Sequence, residues 1–292
     1  MATLRDIRRR IRSVQGTQKI TRAMKLVAAV KLRRAQARIL EARPYAYKLQ
    51  EVLSSLALRS DPERHPLLAR RGTGKKILIV ISGDRGLCGA FNANIIRRSL
   101  EVIRGTKEVA LALILVGRKV RDYYRRRQNE FAIRSTYAGF FDRLAYEHAA
   151  RIGEDLVKAY IEEEYDEVLL VYNEFKSAVA QRVVVEQLLP IEPLFTPPEA
   201  LVVDFIYEPS PPAVLERLLP KHVEIQIFRA LMESVAAEYG ARMTAMDAAT
   251  KNAEEMIQLL TIQFNKARQD RITKELLDIV GGAEALRKAR SS

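Results

Sequence analysis

Apolar residues recur at alternating spacings of three and four from Leu4 to Leu56, through Ile7, Ile11, Val14, Ala28, Leu32, Ala35, Ile39, Leu49 and Leu53. Thirteen of the sixteen positions on that track are apolar, which predicts one long helix with a coiled-coil seam. The three exceptions, Gln18, Thr21 and Lys25, are consecutive on the track, so the seam there is expected to face something other than a hydrophobic partner. From Phe228 the same spacing selects Met232, Val235, Tyr239, Met246, Ala249, Ala253, Met256, Leu260 and Ala267, with Arg242 and Gln263 as its polar members. Small residues on both tracks (Ala28, Ala35 and Ala42; Ala249 and Ala253) permit close approach. The two ends of the chain are therefore expected to wind around each other as an antiparallel pair. Pro44 should bend the first helix locally by removing one backbone bond.

Between these segments the periodicity changes. KILIVIS at 76–82 and VALALILVG at 109–117 are continuous apolar runs rich in β-branched residues, as strands buried on both faces are. FAIRSTY at 131–137 is a third strand, and DEVLLVYNEF with AVAQRVVVEQLLP form a hairpin around 176–178. Helical patterns separate the first four strands, so the fold class is α/β: a Rossmann-like domain with a mostly parallel sheet, inserted into a long antiparallel coiled coil. The expected division is 1–60 for the first coiled-coil helix, 75–208 for the inserted domain and 212–287 for the second helix. A linker at 61–74 and an extended Pro-rich stretch before 212 separate them.

Of the net charge of +13, nearly all sits on the first helix: residues 1–59 carry fifteen Lys or Arg against three acids, and the rest of the chain is close to balanced. Such a helix attracts nucleic acid, anionic lipid or an acidic protein surface, or is simply well solvated. No apolar run approaches the roughly 20 residues of a membrane span, so a soluble chain is expected. RDIRRRIR at the start is no secretory signal. Cys88 is the single cysteine, which excludes an intrachain disulfide and suits a reducing compartment.

Sites for chemistry are sparse. ARRGTGKK at 69–76 resembles a phosphate loop, but Ala69 replaces its first Gly, Lys76 replaces its Ser or Thr, and it precedes a strand where a true one follows. SGDRGLCGAFN at 82–92 follows a strand, yet its Gly spacing is not the dinucleotide fingerprint and reads as tight backbone geometry. His65, His148 and His222 are far apart, and none is near Cys88, which reads as a buried small residue. Glu162, Glu163 and Glu164 read as a solvated run. No catalytic, cofactor or metal site is expected.

IRSVQGTQKITRAMKLVAAVKLRRAQ at 11–36, SGDRGLCGAFN, ARMTAMDAATKNAEEMI at 241–257 and NKARQDRITKELLDIVGGA at 265–283 closely resemble the gamma subunit of F-type ATP synthases, along the full chain. The resemblance implies a non-catalytic rotor shaft in the central stalk. It would transmit torque between a membrane c-ring and a ring of three alpha and three beta subunits, with epsilon and delta subunits in the same complex. Proton or sodium flow would be coupled in this way to ATP synthesis or hydrolysis. It further implies no cofactor, no nucleic acid, no homo-oligomer, and a peripheral position at the cytoplasmic face of a bacterial cell membrane, reached only through the c-ring. By resemblance Lys19, Ile20, Met24, Lys25 and Val27 would slide against a carboxylate-rich beta loop, and Arg268 and Gln269 would bind a second beta loop that catches the shaft. Ile272, Leu276, Ile279 and Val280 would run through an apolar collar, and Tyr207 and Glu208 would form the foot on the c-ring and epsilon. The rival reading from another class is a basic coiled-coil nucleic-acid-binding protein.

Overall fold

The element that fixes the central architecture is β1 (Lys75–Ile81). Successive side chains of a strand point to opposite faces, and here both sets are fully buried. Leu78 and Val80 lie in one cluster, and Ile77, Ile79 and Ile81 in another. The computed structural model describes residues 3–57, 65–72, 74–106, 110–191 and 207–290. Residues 61–64 and 73 of the expected linker and the Pro-rich stretch at 192–206 lie outside them.

In chain order the elements are α1 (Leu4–Ala57), β1, α2 (Phe91–Gly105), β2 (Ala110–Val116), α3 (Arg118–Arg125), β3 (Ala132–Tyr137), a 3-10 turn (Phe141–Arg143), α4 (Tyr146–Ile161), β4 (Glu167–Phe175), β5 (Gln181–Leu189) and α5 (Pro211–Arg290). The sheet order is β3-β2-β1-β4-β5. The first four strands are parallel and β5 runs antiparallel to β4, so the sheet is the expected mostly parallel one ending in a hairpin. One face is covered by α2 and α3 through Ile95, Val120 and Tyr124. The opposite face is covered by α4 (Ile152, Leu156, Tyr160), by Leu49, Leu53 and Leu56 of α1, and by Leu219, Val223 and Ala230 of α5.

The chain separates into two compact units, residues 1–27 with 245–292 and residues 28–244. This division differs from a cut at the ends of the helices. The second half of α1 and the first half of α5 bury their apolar seams against the sheet and α4, so they belong to the α/β body. Among the described residues no helix is long and apolar enough to cross a membrane.

Two loops at the carboxyl end of the sheet need glycine. Gly117 has φ +102, and a Cβ there would lie 2.3 Å from the carbonyl oxygen of Ser82. A Cβ at Gly83 would lie 2.7 Å from the carboxyl carbon of Glu238. Gly117 combines tight approach with a positive φ that a side chain would strain, whereas at Gly83 the close approach of Glu238 alone makes the demand.

Candidate functional site

In the unit formed by residues 1–27 and 245–292, the two chain ends pair antiparallel: Lys25 meets Asp247, Thr21 meets Thr250, and Arg8 lies over the ring of Phe264. The three polar seam positions were expected to face something other than a hydrophobic partner, and here Thr21 and Lys25 face polar residues of α5. Thr21 is buried, and its hydroxyl lies 2.8 Å from that of Thr250, which itself donates to the Met246 carbonyl at 2.7 Å. The Thr21 hydroxyl likewise has the Gln18 carbonyl of its own helix at 3.1 Å, so either hydroxyl can donate across the seam while the other turns its proton to its own helix. Lys25 Nζ donates to Asp247 Oδ1 at 2.6 Å, and this hydrogen bond is the leading cause of the lowered Asp247 pKa. Both side chains are over one third exposed, so solvent and salt screen the pair.

Removing one partner of a buried hydrogen bond leaves the other unsatisfied, whereas removing both is nearly neutral. Thr21→Val is therefore expected to lower stability by about 1 kcal/mol, and Thr21→Val with Thr250→Val to recover most of that loss. Chemical denaturation of the three variants checks this.

The phase of the seam on α5 also differs from the sequence track. Met256 is 51% exposed and Gln263 is exposed, while Ile257 and Phe264 turn inward with Ala253, Leu260 and Ala267. Met256 and Ile257, like Leu259 and Leu260, are adjacent apolar residues, so two tracks fit the sequence equally well.

On the outward side of α1, Ile20 (62%), Leu26 (63%) and Val27 (57%) are exposed. Ile20 and Val27 lie seven residues apart and two beyond the seam positions Gln18 and Lys25, which places them on the far side of the helix. Lys19 is exposed beside them, Met24 is half-buried and Lys25 is held by Asp247. On α5, Leu259 and Ile262 are exposed, and every residue from 268 to 283 is exposed, including Arg268, Gln269, Ile272, Leu276, Leu277, Ile279 and Val280. The reason is register. Arg8, in the second turn of α1, already reaches Phe264, so α5 runs on past the start of its partner. Leu26, Leu259, Ile262 and Leu277 were absent from the sequence-derived contacts; their signal was an apolar residue off the seam track. Contiguous exposed apolar residues of this kind mark an interaction surface.

Tyr207 and Glu208 belong to the other unit: Tyr207 packs against its main core and Glu208 is exposed. In that unit α5 crosses the carboxyl end of the sheet. Ala237 meets Cys88 and Phe91. Glu238, buried, is paired with Arg242, whose guanidinium also donates to the Gly86 carbonyl at 3.2 Å. Burial, with Asp84 and Asp142 nearby, raises the Glu238 pKa against the pull of Arg242. Asp84 accepts the backbone N–H groups of Arg118 and Gly139, and Lys31 of α1 donates to Asp142 at 2.7 Å. The SGDRGLCG turn is thus a joint that fixes both long helices to the sheet. Cys88 is buried there and its thiol pKa is raised by that burial, as for an inert core residue.

A family model described as ATP synthase matches residues 3–286. The chain is 47% identical to the ATP synthase gamma chain of Geotalea daltonii over 289 residues, and 52% identical to that of Anaeromyxobacter sp. strain Fw109-5 over 295 residues; each match covers 98% of this chain and 100% of the relative. Among solved structures it is similar to a chain of the Tetrahymena thermophila mitochondrial ATP synthase central stalk and c-ring, with TM-score 0.60, 26% identity, and 79% and 99% of the two chains covered. It shares the fold of a chain from the Euglena gracilis mitochondrial ATP synthase, with TM-score 0.72, 20% identity, and 99% and 96% covered. With the antiparallel pairing of its two ends and the mostly parallel sheet between them, the chain belongs to the ATP synthase gamma chain family.

Proposed function

We infer that this chain is the non-catalytic central-stalk rotor subunit of an F-type ATP synthase, coupling ion flow through a membrane ring to ATP synthesis and hydrolysis on neighbouring subunits. The observation that carries this reading is the pairing of residues 4–27 with α5, closed inward by the Thr21 and Lys25 bridges and carrying apolar residues outward. Packing between two helices of one chain resists relative twist, and an outward surface that is part apolar and part cationic can press on a partner without locking to it.

The expected partners are three alpha and three beta subunits around the paired ends, with epsilon, delta and the c-ring in the same complex at the cytoplasmic face of a bacterial membrane. Lys19, Ile20, Met24 and Val27 serve as the sliding contact to a beta loop. Lys25 contributes through the position that Asp247 gives it. Arg268 and Gln269, exposed and without an ion pair among the described residues, serve as the catch. Ile272, Leu276, Ile279 and Val280 enter the collar, and Tyr207 with Glu208 stands at the foot.

Arg268→Ala with Gln269→Ala, assembled with alpha and beta subunits, is expected to slow steady-state ATP hydrolysis roughly tenfold, the effect of losing one charge-assisted hydrogen bond. The circular dichroism of the variant chain should be unchanged, because neither side chain is buried. Unaltered hydrolysis would remove the catch assignment.

A further inference from the structure

The α2–α3 face of the sheet carries a cationic surface that the rotor reading leaves unused. Exposed or half-exposed Arg97, Arg98, Arg104, Arg118, Lys119, Arg121, Arg125, Arg126 and Arg127 stand there against Glu101, Asp122 and Glu130. Arg98 is paired with Glu101, Arg121 with Asp122, and Arg127 stacks on Tyr123. Arg104, Arg125 and Arg126 have no ion pair among the described residues, and all three are exposed.

Topology gathers these three at one place. In parallel strand-helix-strand units each helix returns the chain to the edge where strands begin. The last turns of α2 and α3 therefore both lie at the edge that holds Lys75, Ala110 and Ala132. Ser99 and Tyr124 tie the two helices together with a hydroxyl contact of 2.7 Å, and Ile103 packs in the same cluster as Tyr124. The same edge bears Ile191, bonded to the Leu67 carbonyl, and His65, whose pKa is lowered by burial against the opposing charge of Glu216 near the start of α5. The end of α4, on the opposite face, carries Glu162, Glu163 and Glu164 instead. At the end of α4 the cations Arg71 and Lys158 are matched by Glu163 and Glu162, whereas Arg104, Arg125 and Arg126 are not matched in this way among the described residues.

We propose that Arg104, Arg125 and Arg126 form an electrostatic contact with the anionic phospholipid headgroups that surround the membrane ring. The proposal rests on the rotor reading, in which Tyr207 and Glu208, at the start of α5, face that ring. Charge complementarity and the position at this end favour lipid. Guanidinium groups exposed on the last turns of two helices suit exchangeable headgroups, which a turning subunit can pass over without a fixed partner.

The test measures partition of the full chain onto vesicles of mixed phosphatidylglycerol and phosphatidylcholine, against phosphatidylcholine alone. Because α1 is itself basic, the triple variant Arg104→Gln, Arg125→Gln, Arg126→Gln is compared with a control carrying Arg5→Gln, Arg10→Gln and Arg12→Gln. The proposal expects the first variant to bind anionic vesicles about 100-fold more weakly, from the contribution of three cations near a charged surface, with a much smaller loss in the control. Equal loss in both variants, equal binding to neutral vesicles, or a loss confined to polyglutamate binding would overturn it, the last pointing to an acidic protein instead. Assembly of the triple variant with alpha and beta subunits into an ATP-hydrolysing complex is scored in parallel. Failure of the unsubstituted chain to assemble would count against the rotor reading, while the vesicle comparison still decides the lipid contact.

Discussion

Glu238→Ala, with Arg242 retained, is expected to reduce the free energy of unfolding by about 3–5 kcal/mol, the range for breaking one side of a buried ion pair. The variant would leave a buried guanidinium with only the Gly86 carbonyl as a hydrogen-bond partner. It would also open space against Gly83, whose Cα now abuts the carboxylate. Replacing both members, Glu238→Leu with Arg242→Leu, should cost far less, because uncompensated charge and not the loss of attraction dominates the single variant. Thermal unfolding of the purified chain, single against double variant, measures the difference. A single variant as stable as the unsubstituted chain would mean that Arg242 finds another acceptor, with Asp142, on which its charge already acts, as a candidate.

Acid is expected to weaken the same unit through His222. Burial first, and the charge of Arg229 second, push its pKa down from 6.5 to about 4, against the opposing pull of Glu186. An imidazole that is harder to protonate when folded binds its proton preferentially in the unfolded chain. Its contribution is therefore complete above pH 6.5 and disappears as pH falls from 6.5 toward 4. At about 1.4 kcal/mol per pKa unit, the loss approaches about 3 kcal/mol. Glu233, whose pKa is raised by burial ahead of all other causes, works in the opposite direction and shallows the slope. The decisive measurement is the difference between the unsubstituted chain and His222→Gln. The substituted chain should lose much less stability across that interval, and parallel slopes would show that His222 is not the titrating group.

The strands and the pairing of the chain ends were legible because each rests on a short-range rule. A run such as KILIVIS allows two buried faces, and a sustained alternation of threes and fours allows one seam. What the pattern could not convey is who sits opposite whom. Thr21 looked like a gap in the seam, since its hydroxyl partner Thr250 lies 229 positions along the chain. The phase near Met256 was ambiguous for a different reason, adjacent apolar residues in a helix that is bare on one side. The glycine turn was read as backbone geometry, which the positive φ of Gly89 supports, but the demand at Gly83 comes from Glu238, which no local rule connects to it. Among the resemblance-derived contacts, Ile20 and Val27 proved to be strongly exposed apolar side chains, whereas Lys25 already has an internal partner.

A doubly wound sheet ordinarily opens a crevice beyond the carboxyl ends of the strands where its order reverses, here between β1 and β4, and receives a ligand there. In this chain α5 lies across that opening, with Ala237 against Phe91 and Glu238 against Gly83. The domain has in effect a permanently tethered guest, present at an effective concentration that no metabolite can match or deplete. The grip of the sheet on the helix is therefore indifferent to the nucleotide supply of the cell, a useful property in a part that must hold equally well when fuel is scarce and when it is abundant.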